Sequence, residues 1–231
     1  MDAIITAAGK NSRMIEDFKN KNQKPIHKLK LEINNIPILI HTLKQVQNSN
    51  IDNITIALGH HKDEIYQILK DYDMLDYVDI NVNSNVNVGL SQTIKNVLDK
   101  KYDNNYLFMA ADQPTITTNT INNMIDVLET HPEDKNTISI LARRKSGQLS
   151  TAEGLGMPFC CYGKLLYDYI KDENDNLNPI LRKMIKEKVN FYGIKPENKL
   201  ELLNINHYDE YIKIKQELEK KGDLKKMKEL L

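Results

Sequence analysis

The chain has 231 residues, 40% of them hydrophobic and 28% charged, enough to bury one full core or one core with a small lobe. Lysine plus arginine equals aspartate plus glutamate at 32 each, which argues against a broad nucleic-acid footprint and leaves a local basic pocket as the place where anions are met. The only cysteines, Cys160 and Cys161, are adjacent, which is neither a disulfide framework nor a metal spacing and fits buried strand residues in a reducing cytoplasm; no run approaches the roughly 20 apolar residues of a membrane span.

Ala3–Thr6 is the first strand. No basic segment precedes it and polar Lys10–Asn11 ends the apolar run, so it is not a signal peptide. The stretch from Ile15 to His27 is polar, carries Lys19, Lys21, Lys24 and Pro25, and is expected to be a mobile loop. Asn34–Asn35 is a turn. A helix follows with Ile38, Leu39, Thr42, Leu43 and Val46 on one face. Then strand and helix alternate. Strands are expected at Asn53–Leu58, Val78–Asn83, Tyr106–Ala110 and Thr137–Ala142. Helices between them carry Ile65, Ile68, Leu69 and Tyr72, then Ile94, Val97 and Leu98, then Ile121, Met124, Ile125 and Leu128. That alternation means a parallel sheet covered on both faces.

The rest is less regular. Arg143–Gly156 is expected to be a polar loop, Met157–Tyr162 a strand, and Leu165, Leu166 and Ile170 the apolar face of a short helix. Asp172–Asn178 is a turn region, and a helix carries Ile180, Leu181, Met184 and Ile185. Val189–Ile194 and Leu200–Ile205 are candidate strands. A charged helix from Tyr208 to about Lys220 ends at Gly222, and Leu224, Met227, Leu230 and Leu231 form a last amphipathic turn.

Two stretches carry chemistry. Ala7–Ala8–Gly9 follows the first strand, and Lys10 and Arg13 follow it. Bare backbone N–H groups beside a point charge and a planar fork suit phosphate oxygens; the alternative is a plain turn. Asp112 stands at the carboxyl end of an apolar strand, where such sheets place ligands. It is either a Mg²⁺ ligand facing the first loop or a turn residue ahead of Pro114. His60–His61 is an isolated pair and reads as a solvated loop. Neither G-x-G-x-x-G nor G-x-x-x-x-G-K-[ST] is present.

The pattern AAG-x-x-S-R-M of residues 7–14 resembles the opening of the MobA-like NTP transferases, and Phe108–Pro114 is similar to their metal-binding segment. The resemblance runs over about residues 1 to 220 and is nearest in look to molybdenum cofactor cytidylyltransferases. It implies a three-layer, Rossmann-like α/β fold with a mostly parallel sheet of the nucleotide-diphospho-sugar transferase (GT-A-like) type. It also implies a single domain over 1–231, with a nucleotide half to about 142, an acceptor half over about 143–221 and a C-terminal helical tail. Lys28, ahead of Pro37, resembles the family lysine, with Lys24 as the competing position. Gly89–Leu90–Ser91 resembles the "GLS" segment that meets base or ribose, although a serine there is otherwise an N-cap. Gly156–Met157–Pro158 is similar to a "GHP" element with Met157 in place of histidine. Asn206 stands where the second metal-binding aspartate is usual.

The implied catalytic residues are Arg13, Lys28 and Asp112. Ala7, Ala8, Gly9, Lys10, Gly89 and Ser91 bind the nucleotide, and Asp112 and Asn206 hold Mg²⁺. The implied reaction moves an NMP from an NTP, CTP favoured over GTP, to a phosphorylated small acceptor such as molybdopterin, releasing pyrophosphate. The alternatives are a sugar-, polyol- or alcohol-phosphate acceptor, and a nucleotide-binding accessory protein without turnover, which Asn206 and Met157 keep open. Neither nucleic acid nor membrane is expected as a partner, and the expected location is cytoplasmic.

Overall fold

The structure is a computed structural model that describes residues 1–99, 101–152, 154–174 and 176–229, those from 221 onward in backbone only. The central strand is β1 (Asp2–Ala7), and its side chains alternate between two cores. Ala3, Ile5 and Ala7 face one apolar cluster and Ile4 faces the other, all buried. A strand buried on both faces must have helices above and below it. It pairs in parallel with β4 (Asn53–Leu58) on one side and β6 (Asn105–Ala110) on the other, and β5 (Val78–Val82) adds in parallel beyond β4.

The sheet has eight strands in the order β5-β4-β1-β6-β9-β7-β10-β8. The strand β9 (Phe159–Tyr162) runs antiparallel between β6 and β7 (Thr137–Leu141), and β10 (Asn190–Ile194) is parallel to β7. Phe159 lies opposite Phe108 with ring centroids 5.0 Å apart, which locks the inserted strand in register. The cores are layered on the two faces. Helices α2 (Ile38–Gln47), α3 (Lys62–Asp71) and α5 (Thr118–Thr130) bury Leu43, Ile65 and Met124 on one side. Helices α4 (Leu90–Leu98), α6 (Gly163–Ile170) and α7 (Leu177–Lys186) bury Ile94, Leu166 and Leu181 on the other. The sheet is the mostly parallel, three-layer one expected. No helix among the described residues is long and apolar enough to cross a membrane.

Four local expectations change. The stretch expected to be mobile holds α1 (Ser12–Asn20): Met14 and Phe18, one turn apart, are buried while Lys19 is exposed. Phe18 packs edge-on against Tyr208 at 5.2 Å, and Asp17 accepts the Tyr208 N–H at 2.8 Å. The polar loop after β7 contains β8 (Gly147–Leu149), which pairs antiparallel with β10 and covers its edge. Leu200–Ile205 is not a strand. The buried Glu201 carboxylate accepts from the Thr117 N–H, the Thr117 and Thr120 hydroxyls and the Glu197 N–H, which winds Lys199–Leu202 into a 3₁₀ turn.

The last helix, α8 (Tyr208–Glu229), runs on through Gly222. One glycine costs a helix interior only about 1 kcal/mol, too little to stop a long one. The side chains of Leu224 and Met227, and all of Leu230 and Leu231, lie outside the described residues. A two-strand hairpin, β2 (Glu32–Ile33) and β3 (Ile36–Pro37), turns at Asn34 and Asn35 with φ of 51° and 61°, the left-handed pair that asparagine tolerates.

Candidate active site

The carboxyl ends of β1 and β6 open into a cleft of about 320 Å³. Ala7, Ala8 and Gly9 form one wall, Gly89 and Leu90 another, and Lys28, Asp112 and Met157 the floor. A Cβ at Gly9 would meet no atom within 4 Å, so packing does not require the glycine; the open space lies where a ligand would approach the backbone.

The loop is braced from behind by residues whose role is invisible in local sequence. Gly59, just after β4, lies so close that a Cβ there would stand 2.7 Å from the Ala8 carbonyl oxygen. His60 Nδ1 approaches the Ala8 carbonyl at 3.5 Å, and His61 Nε2 approaches the Lys10 carbonyl at 3.3 Å. The isolated histidine pair is therefore a support for the loop. His61 also packs against His27, centroids 4.4 Å apart and the rings tilted by 48°. His27 is buried, its Nδ1 accepts from the Leu29 N–H, and burial first, with the neighbouring His61 second, pushes its pKa down to about 4.

Asn11 sits in the left-handed region at φ 57°. Its side-chain oxygen accepts from the Lys28 N–H at 3.3 Å and its amide donates to the Ile26 carbonyl at 3.4 Å. This buried asparagine brings Lys28 into the cleft, while exposed Lys24 does not line it. The Lys28 Nζ donates to Asp112 Oδ2 and lies 3.4 Å from Asn206 Oδ1. Arg13 Nη2 donates to the same Asn206 oxygen at 2.8 Å. Residues from three distant stretches thus share one cation–oxygen cluster, and Lys10 and Arg13 rim a small recess beside it with Lys28 and Asn206.

Asp112 is held by its neighbours. Its carbonyl accepts from the Ile205 N–H at 3.0 Å, which sets Asn206 alongside. Gln113, fully buried, accepts from the Ala110 N–H and donates to the Met157 carbonyl and to Asn204, so it ties three segments together and does not face the cleft chemically. Thr42 on α2 donates to the Ala111 carbonyl at 2.9 Å.

The decisive atom is Asp112 Oδ1. It is buried and accepts no hydrogen bond among the described residues, whereas its partner oxygen is held by Lys28. Buried carboxylate oxygens are nearly always satisfied. One hard, unpartnered oxygen on a residue that lines the cleft, with the Asn206 amide oxygen sharing Lys28 with it, fits a divalent cation that takes further oxygens from phosphate. Asp112 and Asn206 would be its protein ligands.

Gly89 lies against Asn174: its N–H donates to Asn174 Oδ1 at 2.7 Å, and a Cβ would stand 3.0 Å from the Asn174 carbonyl oxygen. Ser91 does not line the cleft. It is buried on α4 and its hydroxyl donates to the Glu173 carbonyl at 3.3 Å, while Thr93 of the same helix takes the place on the wall. Nor is it an N-cap, since Gly89 holds that position.

The family model of the MobA-like NTP transferase domain matches residues 3–189. The chain belongs to that family. Its fold superposes on a nucleotidyl transferase from Methanothermobacter thermautotroptrophicus with a TM-score of 0.86 and 32% identity, covering 95% of this chain and 98% of the other. It is 27% identical over 154 residues to the bifunctional protein GlmU of Acetivibrio thermocellus, covering 67% of this chain and 29% of that protein. It is 41% identical over 73 residues to the choline-phosphate cytidylyltransferase of Haemophilus influenzae, which is 32% of this chain and 29% of that one. The chain thus matches 29% of the length of each of these two curated relatives. The MobA-like NTP transferases are nucleotidyltransferases, and the site lies where that fold places its nucleotide, at the carboxyl edge of the parallel strands.

Proposed function

We propose that this chain transfers a nucleotidyl group from a nucleoside triphosphate, CTP in preference, to a phosphorylated small molecule. An oxygen of the acceptor phosphate attacks the α-phosphorus in line. The new O–P bond forms as the bond to the bridging α–β oxygen breaks, and pyrophosphate leaves with that oxygen. The acceptor needs no general base, because a phosphate monoester is largely ionised at neutral pH. The chain's work is to position two anions and offset their charge.

Ala7, Ala8 and Gly9 present backbone to the triphosphate, with Lys10 at its rim. Arg13, shared by the triphosphate cleft and the one beside it, and Lys28 supply cations to the triphosphate and to the incoming phosphate. Mg²⁺ on Asp112 and Asn206 would neutralise charge on the phosphate oxygens. The single observation that carries the reading is Asp112 Oδ1, buried just past β6 with no hydrogen-bond partner among the described residues, while Lys28 holds Oδ2 and shares Asn206 with Arg13. The preference for CTP rests on the likeness to a cytidylyltransferase.

The test is pyrophosphate release with CTP, Mg²⁺ and a panel of acceptors that includes molybdopterin and sugar, polyol and alcohol phosphates. Competition binding should rank CTP first among the four ribonucleotides. Binding of CTP with no release for any acceptor would replace the transferase reading with that of an accessory nucleotide-binding protein.

A further inference from the structure

A second cleft of about 660 Å³ adjoins the first and shares Arg13, Leu90, Met157 and Asn176 with it. Three guanidiniums line it from three elements: Arg13 on α1, Arg143 just after β7, and Arg182 on α7. None of the three is paired with a carboxylate among the described residues. Arg13 already donates to Asn206 and, on the transferase reading, serves the reacting phosphates. Arg143 spends one donor on the Leu202 carbonyl at 2.9 Å, out of the five that a guanidinium carries. Arg182 is exposed and, among the described residues, donates to no such carbonyl. The remaining polar side chains of the wall are amides, from Asn176, Asn178, Asn204 and Asn206. Among the described residues the wall has no carboxylate and no aromatic ring, so it offers nothing to a quaternary ammonium.

We infer that the acceptor carries a second oxyanion besides the phosphate that attacks, a carboxylate or a second phosphate, seated on Arg143 and Arg182. The inference rests on the transferase reading and narrows its substrate class. Phosphorylated cations such as choline phosphate are disfavoured, although the choline-phosphate enzyme is among the relatives. A guanidinium fork holds two oxygens of one anion, and two such forks beyond Arg13 exceed what one reacting phosphate uses.

The experiment compares 3-phosphoglycerate with glycerol 3-phosphate, which share a three-carbon skeleton and differ by one carboxylate, with choline phosphate as a third probe. Pyrophosphate release is read with CTP and Mg²⁺. The expected kcat/KM for 3-phosphoglycerate is at least about tenfold above that for glycerol 3-phosphate, on the scale of one charge-assisted hydrogen bond, and choline phosphate is the slowest. The double variant Arg143→Gln/Arg182→Gln closes the first gap while its melting temperature and CTP affinity stay at the wild-type values. The inference is overturned if glycerol 3-phosphate or choline phosphate matches 3-phosphoglycerate, or if the gap survives in the double variant. Should no probe turn over, calorimetry of the same probes on CTP-loaded enzyme decides. The same ranking supports the second anion site, and equal or absent binding overturns it. Failure of the transferase reading is a separate result: CTP binds, yet nothing in the wider acceptor panel releases pyrophosphate.

Discussion

Lys28→Met keeps a long, unbranched side chain and removes the ammonium. That ammonium donates to Asp112 Oδ2, while Asp112 Oδ1 has no donor. The substitution therefore leaves a carboxylate with no donor at either oxygen. Removing one partner of a buried ion pair costs roughly 3–5 kcal/mol. The two side chains are 18% and 10% exposed, so water recovers part of the loss and about 2 kcal/mol is expected. For a chain of 231 residues that corresponds to a fall of about 4–8 °C in Tm. A divalent cation should reverse the loss, because no protein cation then competes for the carboxylate. At a hundred times its Kd a bound ion contributes about 2.7 kcal/mol. The assay is thermal melting of both proteins without nucleotide, with and without Mg²⁺ or Mn²⁺. The wild type should barely respond to metal alone, since Lys28 holds the carboxylate. The variant should melt low and recover. A variant that melts like the wild type, or that melts low and ignores the metal, would refute the assignment of Asp112 as a ligand shared between Lys28 and a divalent ion.

Arg13→Ala should weaken NTP binding by about 1.5–3 kcal/mol, the range for a charge-assisted hydrogen bond, and unchanged affinity in a titration would remove Arg13 from the site. Asp112→Asn should lower turnover at least about a hundredfold while nucleotide affinity falls much less; pyrophosphate release and CTP titration together check both halves. His27 should make stability depend on pH. Above its ordinary value of 6.5 the ring is neutral in both states; between 6.5 and about 4 the unfolded chain takes up a proton that the buried ring refuses, so stability falls as pH falls, by about 3 kcal/mol in all. Denaturant melts at several pH values should show that slope in the wild type and not in His27→Gln.

The strands that build the site were legible because each is a short apolar run with a polar break. Asp112 was legible because it ends such a run. What sequence concealed depends on which distant segments the sheet sets side by side. Gly59, His60 and His61 support the loop after β1 only because Leu58 pairs with Ala7, a register that no local pattern announces. Helix α1 was hidden because just two buried residues, Met14 and Phe18, anchor it among charged and polar groups. Ser91 misled for the opposite reason: its motif neighbours Gly89 and Leu90 do line the cleft, but the helical turn carries residue 91 round to the Glu173 carbonyl. Asn11 and Gln113 look like ordinary loop polars in sequence and prove to be the ties that hold Lys28 and Asp112 in place.

Asn206 is the place where this chain departs most from the pattern it resembles, and its surroundings explain how the site manages. Its side-chain oxygen accepts from Arg13 at 2.8 Å and lies 3.4 Å from Lys28, so an amide already receives two cationic donors. An aspartate there would add a second negative charge within reach of both. Lys28 would then divide between two carboxylates, its hold on Asp112 would loosen, and two charged oxygens would face the metal position. Asn206→Asp should therefore bind Mg²⁺ more tightly before nucleotide arrives, with half-saturation lower by about tenfold, the scale of one added charge interaction in a partly buried site. Turnover at saturating Mg²⁺ should stay the same or rise. Titration of Mn²⁺ by electron paramagnetic resonance without nucleotide, set beside initial rates of pyrophosphate release, reads both. Unchanged metal affinity in the variant would place Asn206 outside the metal's reach and leave Asp112 as the sole protein ligand. Tighter metal binding with lost turnover would mean instead that the neutral amide is required, because a carboxylate there draws Arg13 away from the phosphates.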